Sequence, residues 1–328
     1  MRIKFNTNKN FMIKIHASSI WTAAVPRALV AAHQARAHGQ IDDATLETLV
    51  HDLRTARWRR QQADGLDHVT VGELPVVDRF TALAQLFGCT APLAVDSATT
   101  FTLNASTLLA EVDAAIALPA SPKVAMLGPV SLLHLASSAE DGFDRLALLD
   151  RLLPAYERLL TLLSARGVTW VQLDEPVLGH DLPPAWQAAL RHAYARLRGV
   201  DQQLLVAAGA APLKANLDLA CELPVAGLHV DTQLSSAELP ALARRLPLDR
   251  ELSVGLLGHG DTANALTALR EIRHLRGGRL WIAAQPQVDQ LEGASELGAI
   301  RRSLWRDDAA LARRAVARAL TAQPITPR

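Results

Sequence analysis

Eight short apolar runs, each bounded by turn-forming residues and separated by longer stretches with helical spacing, restrict what this chain can fold into. They are MIKIHAS (12–18), DHVTVGE (67–73), KVAMLGP (123–129), VTWVQLDEP (168–176), QLLVAAG (203–209), VAGLHVD (225–231), ELSVGLLG (251–258) and RLWIAAQP (279–286). A run of this kind is how a strand reads when both of its faces are buried, the condition of a parallel sheet covered by helices. Between the runs lie amphipathic segments such as DRLALLDRLLPAYERLLTLLSARG (144–167). Its leucines recur every three and four residues, and its terminal Gly167 fits a helix C-cap.

Eight parallel strands alternating with helices predict an α/β chain folded as a (β/α)8 TIM barrel. A doubly wound open sheet is the competing arrangement, and the lack of a GxGxxG turn after the first run weighs against it. Two further helices are expected between 19 and 66, as an N-terminal helical extension. An irregular insertion is expected at 89–121, between strands 2 and 3, with a hairpin around TTFTLNAS. Residues 1–11 read as a flexible extension, 12–310 as one barrel, and 311–328 as the end of a C-terminal helix and a tail.

In such a barrel one strand face meets the helices and the other the interior, and the site lies at the C-terminal strand ends. With Val171 and Leu173 toward the helices, Trp170, Gln172 and Asp174 point inward. The same alternation sends Ser18, Asp231 and Gln285 inward, so the mouth is expected to be polar and acid-biased, suited to an ammonium or another hydrogen-bond donor. Glu73 joins this set only if the second strand ends or bulges at Gly72. Glu175 falls on the opposite face and reads as structural, and His229 reads as a hydrogen-bonded core histidine. His259 and Asp261 sit in a glycine-flanked loop that reads first as a turn.

Charge narrows the partners. The 34 basic and 33 acidic residues are interspersed and leave a net charge of +1, which gives no field to gather nucleic acid or an anionic membrane. A small-molecule ligand, an amino acid or a thiol, is expected instead. The two cysteines, Cys89 and Cys221, stand in no ligand spacing, so no cofactor or metal is bound by an evident motif. No signal-peptide pattern opens the sequence, and the cytoplasm is the expected location.

The segments RWRRQQADGLDHVTVGELPVVDRF (57–80), AMLGPVSLLHL (125–135), DRLALLDRLLPAYERLLTLLSARGVTWVQLDEPVL (144–178), NLDLACELPVAGLHVD (216–231) and GRLWIAAQP (278–286) resemble, in that order, the N-terminal barrel of cobalamin-independent methionine synthase. The family pairs two barrels and moves a methyl group from a methyltetrahydrofolate polyglutamate to homocysteine. Zinc on His, Cys, Glu and Cys of the catalytic barrel activates the thiol. Here VAAGA (206–210) stands where a His-x-Cys motif would supply zinc ligands. The resemblance therefore implies the half without zinc, with a separate catalytic methyltransferase barrel as partner. It implies substrate-binding roles for Ser18, Glu73 and Asp174, and matches Arg27 to a cation that holds the folate tail, while Val30 and Ala31 replace two lysines. Two readings follow: a part in methyl transfer to a thiol such as homocysteine, or a non-catalytic single barrel that binds an amino acid or thiol metabolite. An independent enzyme of the wider barrel superfamily is a third.

Overall fold

The computed structural model describes residues 14–17, 27–63, 66–72, 79–89, 93–118, 121–209, 211–231, 237–256 and 262–284. All eight expected strands are present: β1 (Lys14–Ala17), β2 (Val69–Val71), β3 (Pro122–Leu127), β4 (Trp170–Asp174), β5 (Gln203–Ala207), β6 (Gly227–Asp231), β7 (Glu251–Leu256) and β8 (Leu280–Ala284). They form one parallel sheet in the order β1-β8-β7-β6-β5-β4-β3-β2. That is the order of a barrel cut between β1 and β2, and these two strands touch across the cut. The sheet is thus curled round on itself.

The strands alternate faces as the sequence predicts. Val171 and Leu173 of β4, Leu204 and Val206 of β5, and Leu252 and Val254 of β7 join the helices in one large core. Trp170, Leu205 and Trp281 form a separate apolar group inside the barrel, with Ala226 packed against it. Each fully buried aliphatic side chain contributes about 1.5–3 kcal/mol, so a register slip of one residue would expel both groups from their places.

The helices are α1 (Arg27–Ala37), α2 (Asp43–Ala63), α3 (Arg79–Leu86), α4 (Ser106–Ile116), α5 (Pro129–Leu135), α6 (Leu149–Ser164), α7 (Pro184–Leu197), α8 (Leu217–Glu222), α9 (Leu239–Arg245) and α10 (Thr262–Arg276). In α6 the stripe of Leu152, Tyr156, Leu159, Leu160 and Leu163 is completely buried. The helix ends as its sequence predicts: Gly167 takes φ 76°, its N–H bonds to Ser164 O, and the Val168 N–H reaches back to Leu163 O. This pair of bonds is the Schellman closure that a left-handed glycine makes possible. The expected pair α1 and α2 packs around its own small core of Leu29, Ala32, Leu46 and Val50.

The 89–121 stretch differs from expectation. It holds the 11-residue helix α4, and TTFTLNAS is no hairpin. The extended segment before α4 lies against the end of α3, where the N–H groups of Thr102 and Asn104 donate to Phe87 O and Leu86 O at 3.0 and 2.7 Å. Carbonyls left open at a helix C-terminus satisfy it in place of a partner strand. The threonines read as strand formers, but Leu108, Leu109, Val112 and Ala115 carry helical spacing. Among the described residues of this stretch, Ala94–Val95 pairs with Ser137–Ser138.

The seam between β1 and β2 is managed by side chains. The Trp58 indole N–H of α2 donates to Thr70 O at 2.9 Å, and the Thr70 N–H donates to Gln61 Oε1 at 3.1 Å. One step on, the Gly72 N–H donates to Glu111 Oε1 of α4 at 2.9 Å. Edge strands need such cover. Gln61→Leu is expected to lower stability by about 1–3 kcal/mol, the cost of taking an acceptor from a buried amide, read by urea denaturation against Gln40→Leu on the exposed loop after α1.

Candidate functional site

Inside the barrel, polar side chains are joined in a row. The Lys123 ammonium, completely buried on β3, donates to Gln172 Oε1. Gln172 Nε2 in turn donates to Asp174 Oδ1 at 2.7 Å. Lysine can only donate, so it fixes which end of the Gln172 amide faces it and turns the amide nitrogen toward Asp174. Asp174 is 2% exposed, and a buried carboxylate near a buried ammonium is the arrangement that limits the desolvation cost of each.

A second pair lies along the same face. His229 of β6 shares a 2.8 Å hydrogen bond between Nδ1 and Ser253 Oγ of β7. Burial, with the Lys123 charge adding to it, pushes the imidazole down to about 3, so it is neutral. Asp231, two residues on and 1% exposed, is in register with Gly255. A Cβ on Gly255 would come within 3.3 Å of the His229 ring; the glycine makes room for it.

Two of the expected mouth residues, Asp174 and Asp231, are therefore inward-facing and buried at strand ends. His229 is the core histidine that the alternation predicts. Ser18, Glu73 and Gln285 lie outside the described residues, as do His259 and Asp261. Arg27 opens α1, and its side chain is outside the description. β2 ends at Val71 and Gly72 takes φ 90°, so the in-out alternation does not carry past it. Sequence reasoning missed Lys123, although a lysine inside an otherwise apolar strand run was a readable signal.

Glu175 faces the other way, as expected, and is completely buried. Its Oε2 accepts the Ser131 N–H at 2.7 Å; its Oε1 accepts the Val130 N–H at 3.2 Å and the Tyr194 hydroxyl at 3.0 Å. The carboxyl thus caps the start of α5 and ties it to α7. Burial pushes it up from 4.5 to about 7, with these bonds pulling back. Gly128 is required beside it, because a Cβ there would sit 2.2 Å from Glu175 Oε1.

Residues 91–273 match the family model for the cobalamin-independent synthase N-terminal domain. The chain belongs to the cobalamin-independent methionine synthase family, through its N-terminal domain. It is 34% identical, over 298 residues, to the 5-methyltetrahydropteroyltriglutamate–homocysteine methyltransferase of Vibrio cholerae, covering 75% of this chain and 39% of that protein. The chain thus spans about two fifths of the length of this relative. Among solved structures, the putative vitamin-B12-independent methionine synthase of Listeria monocytogenes aligns with TM-score 0.71 at 16% identity, covering 90% of this chain and 99% of that one. The B12-independent methionine synthase of Shewanella sp. W3-18-1, in complex with selenomethionine, aligns with TM-score 0.69 at 15% identity, covering 92% and 99%. At such identities these two establish the fold alone.

Zinc is the metal that the family's catalytic barrel implies, and the described residues of this synthase-type barrel do not fit it. They contain no group of three His, Cys, Asp or Glu that could hold a metal ion. The inward end of β5 offers Leu205 and Ala207, the neutral His229 is engaged with Ser253, and Cys221 is a buried thiol of α8 pushed up to about 11 by its burial. A thiol so raised stays protonated and is a poor soft ligand.

The Glu175 shift has a sign that can be read in solution. Below about pH 4.5 the carboxyl is protonated in both folded and unfolded chains. Between there and about pH 7 only the folded chain holds the proton, so stability present at low pH is lost as pH rises through the folded value. Urea denaturation from pH 4.5 to 8 is expected to show this decline in the wild type and a flatter profile in Glu175→Gln. Gly128→Ala is expected to destabilise by about 2 kcal/mol or more.

Proposed function

We propose that this chain takes part in methyl transfer to a thiol such as homocysteine, as the barrel without zinc, working with a separate zinc-bearing catalytic barrel. The observation that carries the reading is the intact inward row of Lys123, Gln172 and Asp174 on a barrel whose β5 end lacks soft ligands. Family membership supports the methyltransferase context. Asp174 and Asp231 offer carboxylate oxygens to an ammonium, and Ser18, Glu73 and Gln285 are proposed to complete the same substrate pocket. The charge-assisted bonds such a pocket makes are each worth about 1.5–3 kcal/mol.

Folate would be held differently from the family pattern. Val30 and Ala31 are exposed on α1 where the resemblance places lysines, so Arg27 alone carries that role and a polyanionic tail is bound weakly or not at all.

A second reading, a non-catalytic barrel that binds an amino acid or thiol metabolite, is favoured by the same buried row, which can hold an amine with no metal present. One pair of measurements separates them. Homocysteine or methionine at 100 times its Kd is expected to stabilise the protein by about 2.7 kcal/mol, and Asp174→Asn to weaken binding by roughly ten- to a hundredfold. Methyl transfer that appears only when this chain is mixed with a zinc-containing methyltransferase barrel supports the first reading. Binding without any such activity leaves the second, and no binding with no activity sinks both.

A further inference from the structure

Glu175 is a carboxyl without a counter-charge. It is completely buried, and what reaches it is neutral: the N–H groups of Val130 and Ser131 from α5 and the Tyr194 hydroxyl from α7. Among the described residues, no lysine or arginine is one of its partners. The other titratable groups around it are Tyr156 of α6, whose hydroxyl is given to Leu127 O, and its chain neighbour Asp174, which acts together with it on Tyr194. Burial pushes both tyrosines upward, with the Glu175 charge adding to it, so they remain protonated. A carboxylate held only by neutral donors keeps much of its desolvation cost, and it escapes that cost by taking a proton or by reaching water. Burial places the exchange of that proton at about pH 7.

The bonds around Glu175 join the elements at the C-terminal ends of β3 and β4. The start of α5 rests on its two oxygens, Ser131 Oγ accepts the Val177 N–H at 3.2 Å from the turn after β4, and the Gly128 N–H donates to Asp174 O at 2.8 Å. Gly128 packs so closely that a Cβ there would meet the carboxylate. Glu175 therefore cannot reach water alone: α5 has to lift from β4, and the bonds of Gly128 and Ser131 go with it. With 7 residues, α5 is too short to keep its shape without such support.

The far end of α5 carries a different titratable group. His134 sets its ring against the edge of Trp186 on α7, with centroids 4.9 Å apart, and faces His180 and Arg145. Burial pushes this imidazole down, with the two neighbouring charges adding to it. It is neutral across the range in which Glu175 ionises, so it takes no part there.

We propose that Glu175 is a proton-operated latch on α5: protonated, it holds the helix against β4 and α7, and on losing the proton it lets the start of α5 lift away beside Asp174. In the lifted form water reaches the carboxyl and its ordinary value of 4.5 returns. The closed form holds the proton more tightly, so a rise in pH favours lifting. These two values set the effect at about tenfold between pH 6 and 9. The latch is local, and it stands independently of the methyl-transfer reading.

Amide hydrogen exchange of the full chain at pH 6 and pH 9, corrected for the intrinsic rate, tests it. Gly128, Val130, Ser131 and Val177 are expected to lose about tenfold in protection, while Leu242 and Leu246 of α9 hold theirs. In Glu175→Gln, neutral and of the same size, the four amides should agree within about twofold at the two pH values. Should that variant fail to fold, Tyr194→Phe carries the test. It removes a donor that favours the ionised carboxyl, so it should deepen the fall at pH 9 severalfold and leave protection at pH 6 nearly unchanged. Equal wild-type protection at both pH values overturns the proposal, and so does an equal fall in α9, which marks a general loss of stability. A fall that persists in Glu175→Gln, or a loss in Tyr194→Phe of the same size at both pH values, overturns it as well.

Discussion

A buried carboxylate that caps a helix across 45 residues of sequence holds the C-terminal strand ends of this barrel together. Glu175 leaves the end of β4 on the helix side and takes two backbone N–H groups at the start of α5 and the hydroxyl of Tyr194 on α7. Ser131, one of the residues it caps, accepts the Val177 N–H in return at 3.2 Å. Tyr156 of α6 fastens Leu127 O at 2.7 Å just before the glycine that makes room for the carboxylate. The LGPV and LDEP stretches are thus two halves of one contact, each of limited use without the other. Asp174 is the neighbour of Glu175 in the chain, so whatever fixes Glu175 outside also fixes the direction in which Asp174 points inside.

The interior is arranged by the same period of two. Its middle is aromatic and aliphatic, with Trp170, Leu205 and Trp281, and polar groups lie to either side. Material of low polarisability screens charges poorly, so it is distance alone that weakens the coupling between the two ends. Lys123 belongs to the upper set although it begins low on β3, since its long stem spans the apolar layer and delivers the ammonium to Gln172.

Much of this was legible in the sequence, for a physical reason. Strands buried on both faces must be apolar runs, and helices that cover them must repeat at three and four, so all eight strands and the inward direction of Gln172, Asp174 and Asp231 could be read off. Features that depend on distant partners could not. Nothing near Glu175 says that two of its hydrogen-bond donors lie before it on α5 and the third after it on α7. Nothing in RWRRQQ says that Trp58 and Gln61 serve the backbone of Thr70. In the 89–121 stretch the threonines spoke for strand, and the leucines and alanines of α4 prevailed because they could bury a face on the core.

The seam has a consequence for how the barrel is assembled. From β2 round to β8 the strands are joined by an unbroken ladder of parallel pairings. β1 is added by pairing to β8 from the far end of the sequence, which requires closing a loop that spans nearly the whole barrel. Such closure is slow relative to local pairing, and until it happens the β2 edge would be open to a strand of another molecule. By occupying the Thr70 backbone with α2, a helix only a few residues upstream, the chain covers that edge from within before its own first strand arrives.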